Sequence, residues 1–575
     1  MPKSRYVDSM RFLGLTINSI EAVLYNTLRY TSRRSVASPP FFTILATPVE
    51  FLNGSTVRIE GKATPGRLRL LDCAAFLDRA LLQVIEVPTF EPEKIRYAAI
   101  SYPWRDLQLP EGVKSPLGSF TVHGAERADD VSVSVLRTAC VAARYFGVEL
   151  LWLDRICMIQ SSEPDKVWQI EHMYSIYLHA DPCLVFPGGL VRLACINDPT
   201  TWIERAWTLQ EATATPRKTT VKCIYSFPYQ SFSEFVDTSL DTSHYTPEFL
   251  NFLHNAPQGK IFTQYIIETN VSAGCDLADL LSRLWVMSQF FQRTNPALAS
   301  DPNAFPIRII SATAGRLLKK SALMNIGINY MFYWQSAFVR SSSRPVDMVF
   351  SIMQSMGVKL NVASFAKNDR RSATIKLIQA LLERGRPAEW LYIAPELAPG
   401  PELSVLPAFP KTSVSGRAMM QMHNGLFPAF DVIGLRESWN SEGAPTGSMD
   451  DGGYFHFTSR GVQVLQKQKT DAEVWGVVIG KHRELNRNPK TGLISSSPQG
   501  NPFPPRVELT LMFVELHGSS KDRKLYHRIG MEHEINEAHT GKWKWVENRF
   551  SVGGPGRGER VRFAVQEHGP GYASS

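Results

Sequence analysis

At 575 residues the chain is longer than one hydrophobic core usually organises, so about two to four domains are expected. Apolar residues at 44% and charged residues at 20% are the balance of a folded globular protein and exclude a low-complexity chain. The net charge of +8 is scattered, with nothing denser than pairs such as Lys319-Lys320 and Arg370-Arg371, and no apolar run is long enough for a bilayer, so neither a nucleic-acid partner nor a membrane span is expected.

Residues 1–64 read as an N-terminal extension, with one amphipathic helix over 13–28 and a linker over 35–40. Strands over 68–71 and 81–87 lead into an α/β unit placed at 65–230. There a strand over 97–102 stops at Pro103. A helix over 129–147 follows, with Asp130 or Ser132 as its N-cap and Gly147 as its stop. The nearly all-apolar run 148–153 is a strand buried on both faces. Ser162, Pro164 and Asp165 open the next helix, 183–186 is another strand, and 202–212 is a short helix. This alternation predicts a parallel sheet with helices on both faces. Region 231–425 is expected to be mainly helical, most clearly at 277–291, 309–318, 347–356 and 372–385. Region 426–550 reads as a small all-β module, with strand-like runs at 454–458, 474–479, 507–514 and 543–545, and 551–575 as a flexible tail.

The seven cysteines are odd in number and have no CxxC spacing, which points to a reducing compartment without a disulfide framework. The N-terminus lacks a signal-peptide pattern, so a cytoplasmic location is expected. His533, Glu534 and His539 miss the HExxH spacing, and no metal site is expected. Arg340 to Pro345 reads as a surface loop.

Three segments carry the chemistry: YAAISYPW (97–104), LWLDRICMIQ (151–160) and RAWTLQE (205–211). Each joins an apolar stretch to polar or aromatic groups where a strand ends, and open α/β sheets bind ligands beyond those ends. Tyr102, Trp104 and Arg105 follow the first strand and Asp154 follows the second. Glu211 lies four residues after Trp207, on one helical face with it. A carboxylate beside an aromatic platform suits glycosidic cleavage: the ring stacks on a flat base, and the carboxylate stabilises the cationic sugar left behind. Burial against an indole also raises such a carboxyl's pKa. Read as structure instead, the tryptophans are core aromatics, Asp154 caps a turn, and Glu211 pairs with Arg205 or Arg217.

The order and spacing of these segments resemble the fungal heterokaryon-incompatibility (HET) domain. That family's pattern runs YxALSYxWG, then LWIDALCINQ, then a helix with M..IY..A, then RxWTLQE. Here these stand as Tyr97 to Trp104, Leu151 to Gln160, Met173 to Tyr177 with Ala180, and Arg205 to Glu211. The resemblance covers about residues 65 to 225. The run from Trp334 to Trp390 resembles the region that follows the domain in mushroom-type fungal relatives.

The resemblance implies a death effector acting in fungal non-self recognition. HET domains are in turn similar to TIR domains, and Ser101-Tyr102, Leu153-Asp154 and Trp207 to Glu211 stand in the TIR order. That similarity implies a TIR/flavodoxin-like parallel sheet and a role for Glu211 in NAD glycohydrolysis. Tyr102, Trp104, Arg105, Asp154 and Trp207 would then bind substrate, with NAD as substrate and no cofactor. The chain departs from the family pattern twice: Arg105 replaces a glycine that would let a ligand approach the backbone, and Ile159 replaces an asparagine. The alternative expectation is a non-catalytic signalling or self-assembly module with a protein partner. A third is a thiol-dependent hydrolase using Cys157 with His172 or His179.

Overall fold

The computed structural model describes residues 41–105, 115–214, 221–230, 232–239, 243, 245–255, 264–294, 305–310, 330–413, 416–422, 424–433, 443–465, 473–483, 507–520 and 523–573. The helix expected over 13–28, and that over 309–318 from residue 311 onward, lie outside the described residues.

Nine strands make one mixed sheet. They are β1 (Phe42–Pro48), β2 (Leu68–Asp72), β3 (Leu81–Val87), β4 (Ala98–Ser101), β5 (Leu150–Trp152), β6 (Cys183–Val185), β7 (Val221–Ser226), β8 (Gln264–Glu268) and β9 (Ser272–Asp276). Their spatial order is β1-β3-β2-β5-β4-β6-β7-β9-β8. The four central strands, β5-β4-β6-β7, run parallel. The flanking pairs are antiparallel. The parallel arrangement expected of the strands at 97–102, 148–153 and 183–186 holds, and antiparallel pairs extend the sheet on both sides. On one side β1, drawn from the expected N-terminal extension, pairs with β3. On the other β8 and β9, from the stretch expected to be mainly helical, extend the sheet from β7.

Helices α1 (Cys73–Asp78), α2 (Val133–Tyr145), α3 (Asp154–Cys157), α4 (Glu163–His179) and α5 (Ala206–Thr213) complete this unit. Strand alternation decides which helix covers which face. Ala98 and Ile100 point to a core with Leu136, Ala139 and Cys140 of α2. Ala99, Trp152 and Val185 point the other way, to Met173, Ile176 and Tyr177 of α4 and Leu209 of α5. Local signals set the helix ends. The Ser132 hydroxyl caps α2 by accepting from the Val135 N–H. Gly147, at φ +75°, adopts the left-handed turn that stops it. Ser162 caps α4 in the same way, accepting from the Asp165 N–H.

The second core is continuous with the rest of the chain. Helices α6 (Phe232–Ser239), α7 (Pro247–Asn255), α8 (Leu277–Thr294), α9 (Tyr330–Phe338), α10 (Asp347–Met353) and α11 (Arg370–Glu383) follow. Trp334, Trp390, Phe455 and Tyr526 share one buried cluster with the α4 face of the sheet. Beyond them β10 (Gly447–Met449), β11 (Tyr454–Gln463), β12 (Val474–Arg483), β13 (Val507–Ser520), β14 (Arg523–Asn536) and β15 (Val546–Gly553) form a second sheet. Pairing of β11 with β15 closes it into a small barrel.

Two C-terminal expectations are corrected. Trp543 and Trp545 lie in the turn before β15 rather than in a strand. The stretch expected to fray carries a hairpin, Phe563–Gln566 with Gly569–Tyr572, held by Phe563 stacking on Phe513 at 3.8 Å. Among the described residues no helix is long and apolar enough to cross a membrane.

Candidate functional site

The central strands follow one another in space as second, first, third, fourth. The order in which strands are added therefore reverses at β4, whose sequence successor β5 lies on one side and β6 on the other, while all of them stay parallel. In parallel α/β sheets such a reversal of strand order is the point beyond which ligands bind. Ser101 is the last residue of β4, and alternation turns it to the α4 and α5 face. Pro103, which has no N–H to continue the ladder, then releases the chain.

Ser101 is fully buried and sits between two side chains. It accepts a hydrogen bond from the Trp202 indole N–H at 2.8 Å and donates to Glu211 Oε2 at 2.5 Å. Glu211 itself is 8% exposed. Burial pushes its carboxyl up to about 8; the Ser101 bond opposes the shift, nearby Asp154 adds to it, and the Arg205 charge opposes it. Tyr177, whose hydroxyl donates to the Ile100 carbonyl at 2.8 Å, lies within the field of the same carboxyl.

Asp154 opens α3 directly beyond β5. Its carboxylate accepts from Tyr102 Oη at 2.5 Å, from Trp104 Nε1 at 2.7 Å and from the Arg155 N–H at 2.7 Å. Burial raises its pKa, and the bonds from Tyr102 and Trp104 act against that. The Gln160 side chain fixes the turn by donating to the Asp154 carbonyl at 2.7 Å. Arg105, next along, donates to the Arg127 carbonyl.

The structure thus gathers Tyr102, Trp104, Asp154 and Glu211 at the C-terminal ends of neighbouring strands, as two hydrogen-bonded sets coupled through the fields of their carboxyl groups. Ser101 and Trp202 complete the Glu211 set, and Tyr177 lies in the field of its carboxyl. Chain spacing did not single out Trp202 or Tyr177 for this site, because their partners lie far away in sequence. The one local signal for Ser101 is a polar residue closing a strand that is otherwise apolar.

Trp207 is engaged differently. It is half-buried and acts on the Asp347 carboxyl of α10, opposing the rise that burial gives it. Around it the expected surface loop over Arg340 to Pro345 is corrected, because Arg340, Ser341 and Ser342 are buried. The reason is backbone pairing. Ser341 N–H donates to the Glu204 carbonyl at 2.7 Å, and Ala206 N–H donates to the Ser341 carbonyl at 2.9 Å. Ser342 in turn donates to Asp347 at 2.7 Å. The helix that carries Glu211 is therefore braced by residues from well beyond the α/β unit, and Arg205 lies in the fields of both Asp347 and Glu211.

Cys157 is not poised as a nucleophile. It is fully buried, its thiol is pushed up to about 12 by burial, and its sulfur faces the Leu151 carbonyl at 3.9 Å. His172 and His179 bond within their own helix, to Trp168 and Ser175. Ile159 is buried in the α2-side core. Arg217 lies outside the described residues.

Residues 97–191 match the family model described as Heterokaryon incompatibility protein (HET). That span contains Tyr102, Trp104, Arg105 and Asp154 and ends before Trp207 and Glu211. No curated protein and no solved structure matches the chain.

Proposed function

We propose, from the HET match over residues 97–191 and the buried carboxyl beyond its end, that the chain is a heterokaryon-incompatibility effector acting in non-self recognition and regulated cell death. Its α/β unit, about residues 65–230, acts in the cytoplasm by TIR-like cleavage of NAD. The observation that carries this reading is Glu211, held by Ser101 at the point where the parallel strand order reverses. The second-first-third-fourth order also begins the flavodoxin-like series, whose ligand sits at that reversal.

The chemistry asked of these residues is modest. Water replaces nicotinamide on the ribose: the carbon–nitrogen bond breaks, nicotinamide leaves as a neutral base, and ADP-ribose and a proton are released. Positive charge develops on the ribose as the bond lengthens, and a carboxylate in a dry site stabilises it well. With its pKa near 8, Glu211 is mostly protonated at neutral pH in the free protein. The cationic nicotinamide ring favours its ionised form. The ring stacks on Trp104, whose indole nitrogen is already occupied by Asp154, or on Trp207. Tyr102 orients Asp154, which takes a ribose hydroxyl, and Arg105 meets a phosphate.

A pH profile tests this. For purified protein, kcat/KM for NAD rises close to tenfold per pH unit below about 8 and levels off above it, since only ionised Glu211 serves. A flat profile, or one that falls over that range, contradicts the assignment.

The near-complete burial of Ser101 and Glu211 favours a second reading. In it the pair only clamps α5 to β4, and the unit signals by binding a protein partner or a second copy of itself. Protein that leaves NAD intact at every pH and yet kills cells selects that reading.

A further inference from the structure

The barrel carries a buried charge that has no counter-charge among the described residues. Arg528 lies on β14 and is 1% exposed. Two of its three guanidinium nitrogens, Nε and Nη1, have no hydrogen-bond partner. The third, Nη2, reaches the Leu397 carbonyl at 3.5 Å, the long limit of a bond. Among the described residues no carboxylate pairs with it. The charge that acts on it is another guanidinium, Arg560. Arg560 donates to the neighbouring Glu396 carbonyl at 2.8 Å and to the Met531 carbonyl at 3.0 Å, and its own Nε is also unpartnered. Arg560 also pairs with Glu532 at 3.5 Å, so of the two only Arg528 lacks an acid partner among the described residues.

Two guanidinium groups therefore meet consecutive carbonyls, and each keeps an unpartnered donor. A buried guanidinium without an anion is among the costliest arrangements a fold can hold, and each missing bond adds to the cost. The surroundings lend themselves to entry of a ligand. Ser404 links the backbone of Arg528, whose N–H it accepts at 3.3 Å, to the glycine-rich segment. There it donates from Oγ to Gly553 O at 2.9 Å and from its N–H to Gly554 O at 2.7 Å. Gly554 and Gly558 hold φ of +64° and +74°, and Pro555, Arg557, Gly558 and Glu559 are exposed. Arg560 follows directly. The segment is held at Gly556, whose N–H donates to the Pro401 carbonyl at 3.3 Å, and at Arg557, which pairs with Glu515 at 3.0 Å, so an anion reaches Arg528 when these two contacts open.

We propose that Arg528 and Arg560 form a binding site for a phosphate-class oxyanion at the junction of the barrel with the segment 396–404. Two positive charges suit a dianion, and orphaned N–H groups match its several acceptor oxygens. The phosphate comes either free or as the diphosphate of a nucleotide. This site is separate from Glu211 and does not depend on the NAD reading.

The test is thermal unfolding of the full chain at fixed ionic strength, with sodium chloride replaced stepwise by inorganic phosphate or by ADP. A bound anion raises the midpoint by on the order of 5 °C at saturation. A rise with inorganic phosphate assigns a free phosphate, and a rise with ADP alone assigns a nucleotide. Arg528→Met abolishes the rise, and in chloride alone it melts above the wild type, because an uncompensated charge has been removed. Two results overturn the proposal: a wild-type midpoint unmoved by about 20 mM of either ligand, or an Arg528→Met protein that melts below the wild type in chloride.

Discussion

Replacing Glu211 with glutamine is expected to stabilise the protein above pH 8 and to flatten its pH dependence. The carboxyl ionises near 8 in the folded chain and near 4.5 when unfolded. Between those values the folded state holds the extra proton, so the stability this group contributes is complete below about 4.5 and is lost as pH rises through 8. One pKa unit corresponds to about 1.4 kcal/mol, which sets a ceiling of about 5 kcal/mol on the loss. Glutamine keeps an oxygen for the Ser101 hydroxyl and cannot ionise. Urea unfolding at pH 5.5 and pH 8.5 checks this. From the lower pH to the higher the variant's stability relative to the wild type should rise by about 2–4 kcal/mol. A gap of the same size at both pH values would mean that burial does not hold the proton on Glu211.

The largest loss of stability is expected at Asp165. Its carboxylate and the Arg69 guanidinium are both fully buried and meet at 2.5 Å. The pair is well satisfied. Arg69 donates to the Cys157 and Thr64 carbonyls, each at 2.7 Å, and Asp165 accepts from the Gly66 and Ile159 N–H groups, each at 2.8 Å. Asp165→Ala strands a buried guanidinium, with Glu86 at 3.7 Å as the remaining acid, and should cost about 3–5 kcal/mol. Pairing Asp165→Leu with Arg69→Met should recover most of that loss, because two apolar groups need no counter-charge. Denaturant unfolding of the single and double variants measures both. The pair also ties Cys157 and Ile159, at the end of the short helix that Asp154 opens, to β2. Loosening it should therefore disturb the Asp154 set without touching it directly.

What the sequence made legible follows from how local each signal is. The strands β4, β5 and β6 are apolar runs buried on both faces, and the caps at Ser132 and Ser162 act through bonds three residues long. Both signals survive in a one-dimensional reading. Asp154 and Glu211 stood out because each closes a segment whose apolar pattern is unmistakable. Trp202 did not, since its bond to Ser101 spans most of the α/β unit and no periodicity marks it. The Arg340 to Pro345 stretch was misleading for a related reason. Three serines between arginines look like solvent-exposed chain, yet the Ser341 backbone is buried by pairing with Glu204 and Ala206. Asp165 was legible as a helix-start residue, but its larger role as the counter-charge of Arg69 was not. The C-terminal hairpin was hidden by its glycines, while Phe563 supplies the packing that holds it.

The most direct test of the central claim follows NAD and viability together in cells expressing either the wild type or Glu211→Gln. The account predicts that wild-type protein lowers cellular NAD before viability falls, and that the variant, expressed at the same level, spares both. Death with NAD unchanged, or NAD loss that persists in Glu211→Gln, would contradict it.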